Sequence, residues 1–144
     1  MSKNFKPYID RLRSSGLRPT RQRLQICEAL FNKSGTFHFT IENLKKIIEK
    51  DIKGKISLAT LYNTVHAFKN SGYLKEIFLK GNKTYFDTNT KNHYHFYDEY
   101  SEELTDIKNE NFSIKKLPKA PAGKKIQEVE IIFKVANNNQ FQKS

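Results

Sequence analysis

An α+β chain in two parts is what this sequence predicts, and three observations carry that expectation. Apolar residues recur at helical spacing up to residue 72 and then alternate as in strands. Gly16, Pro19 and Gly72 punctuate the ends of the helical runs. Charge divides along the chain as well: residues 1–90 hold 17 Lys/Arg against 7 Asp/Glu, whereas residues 91–144 hold 9 against 8. A basic front half joined to a near-neutral back half suggests a polyanion-binding module attached to something with another task.

Residues 5–15 read as a short basic helix, with Tyr8, Ile9 and Leu12 inward, Arg11 and Arg13 outward, and Gly16 at its end. Pro19-Thr20 opens a second helix over 21–32, combining a preset φ with a capping hydroxyl. Its apolar stripe is Leu24, Cys27, Leu30 and Phe31. Residues 33–39 form a loop containing Gly35 and His38. Thr40 caps a third helix on which Ile41, Leu44 and Ile48 share a face, and 51–55 turn into a fourth.

That fourth helix is the stretch Ser57-Leu-Ala-Thr-Leu-Tyr-Asn-Thr-Val-His-Ala-Phe-Lys-Asn-Ser-Gly72. Leu58, Leu61, Val65 and Phe68 fall at i, i+3, i+7 and i+10 and predict one buried face. Ser57 is the expected N-cap, and Gly72 supplies a left-handed ending. The other face shows Thr60, Tyr62, Asn63, Thr64 and His66, hydrogen-bonding groups without an acid. Taken alone this is an ordinary amphipathic helix with a solvated face, so its neighbours decide the reading.

Strands at 74–79 and 83–87 flank Gly81-Asn82, a favourable two-residue hairpin turn. Helices followed by such a hairpin make a winged helix-turn-helix, expected over 1–88, with the fourth helix in a DNA major groove. Ser57, Thr60, Tyr62 and Asn63 are then the candidate DNA-reading residues. Arg18, Arg21 and Arg23 would meet the backbone or the minor groove, and Lys75, Lys80 and Lys83 of the wing would meet phosphates.

Residues 88–92 form a polar connector, and strands at 93–97 and 103–107 follow, joined by an acidic turn. Pro118, Pro121 and Gly123 leave room in 111–125 for a short helix at most. Residues 127–135 alternate, with Val129, Ile131, Phe133 and Val135 on one face. A three-stranded sheet this small does not bury enough surface to stand alone. Residues 89–136 are therefore expected to form a metal-sensing and dimerisation domain covered by a second copy of the chain, with 137–144 a flexible tail.

The clearest chemical cluster is His93-Tyr94-His95, because residues two apart in a strand project to the same side. With Asp87 at the end of the wing and His38 in its loop, it offers three imidazoles and one carboxylate, a donor set for Fe(II), Mn(II) or Zn(II). A metal held there would set the angle of the basic module and hence its affinity for DNA. Glu99, Glu102 and Glu103 read as a solvated turn, and Tyr94 and Tyr97 as core or interface aromatics.

Cys27 is the sole cysteine, which excludes an internal disulfide, a CxxC pair and a thiolate zinc cluster; its place in an apolar stripe makes it a core residue. No apolar run approaches the ~18–20 residues of a membrane span, and the N-terminal residues lack a signal-peptide core, so a cytoplasmic protein is expected. Gly-rich phosphate loops, nucleophile elbows and Ser/His/Asp arrangements are missing, and no enzyme activity is expected.

Gly16-Leu-Arg-Pro-Thr-Arg-Gln-Arg23, Ser57-Leu-Ala-Thr-Leu-Tyr-Asn-Thr64 and Lys83-Thr-Tyr-Phe-Asp-Thr88 together resemble the ferric uptake regulator superfamily. Tyr62-Asn63, Phe86-Asp-Thr-Asn-Thr90 ahead of the histidines, and Leu117-Pro-Lys-Ala-Pro-Ala-Gly123 are similar to its iron response regulator branch in alphaproteobacteria. The resemblance implies a homodimeric transcription regulator of iron and haem genes that binds a double-stranded operator. It also implies a regulatory metal on His38, Asp87, His93 and His95, with haem, or a haem-delivering protein, as a further partner. A manganese, ferrous-iron or peroxide sensor of the same superfamily is the alternative. The chain departs from the branch in reading His93-Tyr94-His95 where three histidines are usual. It also lacks the cysteine pairs of structural zinc sites and a late histidine in the last strand.

Overall fold

The structure, a computed structural model, describes residues 4–79, 81 and 83–138. Lys80 and Asn82 of the expected hairpin, and the tail from residue 139, lie outside the described residues. The chain divides into two compact units, Met1–Thr90 and Lys91–Ser144. Their elements make an α+β fold, a winged helix-turn-helix followed by a small sheet.

Four helices build most of the first unit: α1 (Lys6–Ser14), α2 (Arg21–Phe31), α3 (Ile41–Ile52) and α4 (Leu58–Asn70). Each of the last three starts on a side-chain cap, which satisfies a backbone N–H that the helix leaves open. The Thr20 hydroxyl accepts from Arg23 N–H, and the Ser57 hydroxyl from Thr60 N–H. Thr40 and Asn43 cap α3 reciprocally. Gly72, at φ +85°, follows α4 in the left-handed conformation that ends it without a Cβ penalty.

The helices bury Leu12, Ile26, Cys27, Leu30, Ile41, Leu44, Ile48, Leu61, Val65 and Phe68 in one core. Ile26, not Leu24, is the fully buried apolar residue at the centre of α2, and Leu24 and Phe31 are half-buried. On α4 the expected stripe is rotated. Leu58 is 46% exposed, and Thr64, expected on the polar face, is fully buried beside Leu61, Val65 and Phe68. The i, i+3, i+4, i+7 face 61, 64, 65, 68 wins because it centres Phe68 on Phe31 and Tyr73, with ring centroids 5.5 and 5.9 Å away.

Strands β2 (Lys75–Leu79) and β3 (Lys83–Asp87) form the wing. A short strand, β1 (His38–Phe39), adds to the other edge of β3 where a loop was expected, pairing His38 with Asp87 and Phe39 with Phe86. Two residues leave no alternation to read, so this strand is set by its partner. Phe39 stacks on Phe86 at 5.7 Å and closes the sheet onto the helical core.

In the second unit, β4 (His95–Asp98) pairs antiparallel with β5 (Glu103–Asp106) and parallel with β6 (Ile132–Val135), in the order β5-β4-β6. The third strand is shorter than expected, since only Ile132–Val135 pairs, and His93 precedes β4 rather than lying in it. The parallel pairing requires a crossover, which the Pro-containing segment after β5 supplies with no helix beyond a single 3-10 turn at Asn109–Asn111. One sheet face carries His95, Tyr97, Leu104 and Asp106. The other carries Phe96, Phe133 and Val135, which are 41%, 40% and 37% exposed. No helix among the described residues is long and apolar enough to cross a membrane.

Candidate functional site

The surfaces that carry the chemistry are each built by local folding. The first lies where α2 and α4 begin. Gln22 Oε1 accepts from Ser57 N–H at 3.4 Å and Glu49 accepts from Ile56 N–H at 2.9 Å, so α2 and α3 both pin the start of α4. The helix N-termini at Arg21 and Leu58 add the positive ends of two macrodipoles to that edge. Arg18, Arg21, Ser57, Tyr62 and Asn63 are exposed there, and Thr60 is half-buried. Arg23 does not join them. Its guanidinium donates to Arg18 O at 3.0 Å, and among the described residues its buried Nε has no hydrogen-bond partner, so it braces the loop before α2.

His66 is a residue that sequence reasoning left without a role. Its ring lies parallel to that of Tyr62, 5.9 Å away, and packs edge-on against Phe86 at 5.7 Å. The exposed phenol is thereby leaned on a ring that the core holds. Its i, i+4 spacing from Tyr62 was the available signal. Beyond the helix, Lys69 pairs with Glu76 at 3.2 Å and ties the end of α4 to the wing.

Each unit also carries its own group of side chains of a kind that could ligate a metal. In the first unit, β1–β3 register places His38 opposite Asp87, with Nε2 3.1 Å from Oδ2. Asp87 is fully buried, and its other oxygen accepts from Asn89 N–H at 2.8 Å. A carboxylate so desolvated needs a positive partner.

In the second unit, His93 and His95 are buried, their ring centroids are 4.5 Å apart, and both Nε2 atoms point at one oxygen of Asp106, at 3.3 and 3.2 Å. The three residues offer ligand atoms within 4.8 Å of one another. His93 Nδ1 lies 2.6 Å from Lys91 O. A carbonyl only accepts, so Nδ1 carries the proton and Nε2 faces the carboxylate with a proton or a metal cation between them. A backbone carbonyl orienting one nitrogen so that the other can ligate is the usual support of a metal-bound imidazole. The donors therefore fit a small, borderline-hard divalent cation.

Asp106 was missed in the sequence, although a signal existed. Once 98 and 103 close the turn, antiparallel pairing puts 106 opposite 95. Cys27, by contrast, is fully buried in α2, and burial pushes its thiol up to about 12. It supplies no thiolate ligand.

A winged helix with an exposed basic edge, joined to a small sheet bearing convergent imidazoles, defines a class of ligand-responsive DNA-associated proteins. Residues 14–134 match the ferric uptake regulator family, and the chain belongs to it. The family is one of regulators rather than enzymes, in line with the expectation of no catalytic activity. The chain is 35% identical over 99 residues to the peroxide-responsive repressor of Staphylococcus aureus, covering 69% of this chain and 65% of that one. The match thus spans just under two thirds of that relative's length. Among solved structures, the Vibrio cholerae ferric uptake regulator has a TM-score of 0.66 at 20% identity, covering 89% of this chain and 98% of that one. The manganese-containing Pseudomonas aeruginosa regulator has 0.64 at 17%, covering 91% and 98%. These likenesses establish the fold. They reach the family without singling out its iron-response branch.

Proposed function

We propose that this protein is a metal-responsive, homodimeric transcription regulator that binds double-stranded DNA through α4. The observation that carries metal sensing is the aim of His93 and His95 Nε2 at one carboxylate oxygen, with the His93 tautomer held by Lys91 O. His38 and Asp87 supply a second preassembled imidazole–carboxylate pair, within the first unit. A divalent cation would contribute positive charge that neutralises the buried carboxylates. Arg18 and Arg21 are assigned to phosphates, and Ser57, Thr60, Tyr62 and Asn63 to the groove. The apolar face of Phe96, Phe133 and Val135 is assigned to a second copy of the chain.

Iron, manganese and zinc all suit donors that are imidazole and carboxylate, and the lack of thiolate disfavours softer ions. A peroxide or divalent-metal response is supported by the similarity to the staphylococcal repressor. The iron- and haem-status reading rests on Tyr62-Asn63 and the histidine motif. Two imidazoles sharing one carboxylate oxygen suit a small cation better than a macrocycle.

The deciding experiment is a gel-shift titration with anaerobically prepared protein, with and without Fe(II) or Mn(II). Metal-stimulated binding that a His93→Ala/His95→Ala double variant abolishes is expected. Metal-independent operator binding would overturn the sensing assignment. Peroxide-triggered and haem-triggered release from the same complex separate the two stimuli. Tyr62→Ala should weaken specific binding by roughly 1–3 kcal/mol, the scale of one good base contact, and unchanged affinity would remove Tyr62 from the reading set.

A further inference from the structure

The first unit holds a further polar site, beside the strand end that carries Asp87. A cavity of about 250 Å³ opens between the middle of α1, the end of α4 and the segment leaving β3. At ~30 Å³ per water it has room for about eight waters, or for a small solute with part of its shell. Arg11, Thr36, Thr88, Thr90 and Gly35 supply its polar lining, and no carboxylate lines it.

Arg11 is held in an unusual way. Its guanidinium carbon lies 4.1 Å from the Phe31 ring centroid and 5.3 Å from that of Tyr73. Tyr73 is itself fixed by a 2.8 Å hydrogen bond between its hydroxyl and that of Ser14. The two rings thus flank the guanidinium, and its N–H donors are left for other partners. Among the described residues those donors make no hydrogen bond or ion pair. Thr88 Oγ1 accepts from Phe37 N–H at 3.0 Å, which leaves the hydroxyl's own proton free to donate inward. A preoriented donor fork, converging hydroxyls and no acid form a complement to an oxyanion with acceptors on several sides.

We infer that this cavity binds a small tetrahedral oxyanion of the phosphate class, clamped between Arg11 of α1 and the threonines Thr36, Thr88 and Thr90. Thr88 and Thr90 follow directly on Asp87, so an occupied site would brace the strand end that carries that carboxylate. The site is independent of the regulator reading.

Amide NMR of the full chain, titrated with inorganic phosphate against sodium chloride at matched ionic strength, tests it. Saturable shifts are expected at Gly35, Thr36, Gly72, Thr88 and Thr90. Arg11→Gln should abolish them, and Arg11→Lys should weaken binding about tenfold, through loss of the two-pronged contact. Thr36→Val, at an exposed rim position, should weaken binding while leaving the spectrum otherwise folded. Shifts confined to Arg18, Arg21 and Ser57, or unchanged in these variants, would overturn the proposal. So would shifts at the cavity amides produced by duplex DNA and not by phosphate.

Discussion

Asp106 shows how much one side chain can decide. Its carboxylate is the common partner of two buried imidazoles, so removing the charge without changing the shape isolates its electrostatic role. Asp106→Asn should weaken Mn(II) binding by roughly 10–100-fold in a chelator competition, the usual cost of losing such a partner. Unaltered affinity would exclude Asp106 from the metal's surroundings. Cys27 is the opposite case. With its thiol pushed up to about 12 by burial, native protein should react negligibly with a thiol reagent at pH 8 and completely once unfolded. Rapid reaction of the native chain would contradict that burial.

Helix α4 packs against both α2 and α3, and it contains one local flaw. Among the described residues the buried Thr64 hydroxyl has no hydrogen-bond partner, and it lies on the core face of the helix rather than on its exposed face. Thr64→Val keeps the shape and removes the desolvated oxygen, so it should raise stability by about 1 kcal/mol in denaturant unfolding. A loss of stability would show that the hydroxyl has a role in the fold.

The turn before α4 depends on Glu49, whose carboxylate is lowered below the ordinary glutamate range by the Lys45 ammonium, then by Ile56 N–H, with Lys55 assisting. A depressed carboxylate contributes stability above its unfolded pKa, and that contribution disappears as pH falls through the folded value. Melting temperature should therefore drop on acidification more steeply in the wild type than in Glu49→Gln. Parallel curves would remove Glu49 from the acid response.

At the scale of the whole molecule, the second unit leaves its strongest apolar surface uncovered. Phe96 and Phe133 sit in register, their centroids 6.1 Å apart, with Phe112 against Phe133 at 5.4 Å. A sheet of three strands of four residues buries too little by itself, and a second copy would cover this face. Phe133→Asp should convert a dimer into a monomer in sedimentation at micromolar concentration and weaken operator binding with it. A persistent dimer would place the interface elsewhere.

Much of the architecture was legible in the residues alone. Caps at Thr20, Thr40 and Ser57, the ending at Gly72 and the burial of Cys27 follow from local chemistry, in which a side chain satisfies its own helix end or an apolar stripe hides a thiol. The histidine pair and the basic edge were equally visible, since they depend only on spacing and charge. Tertiary structure decided what rests on partners distant in sequence. It made a strand of His38-Phe39 by setting it against β3, turned Thr64 rather than Leu58 inward, and drew Arg23 out of the exposed arginines. It also ran β6 parallel to β4 and brought Asp106 to the imidazoles. Each of these is a pairing or packing choice made between elements, where the energy of a buried contact outweighs the weak preference of a single residue.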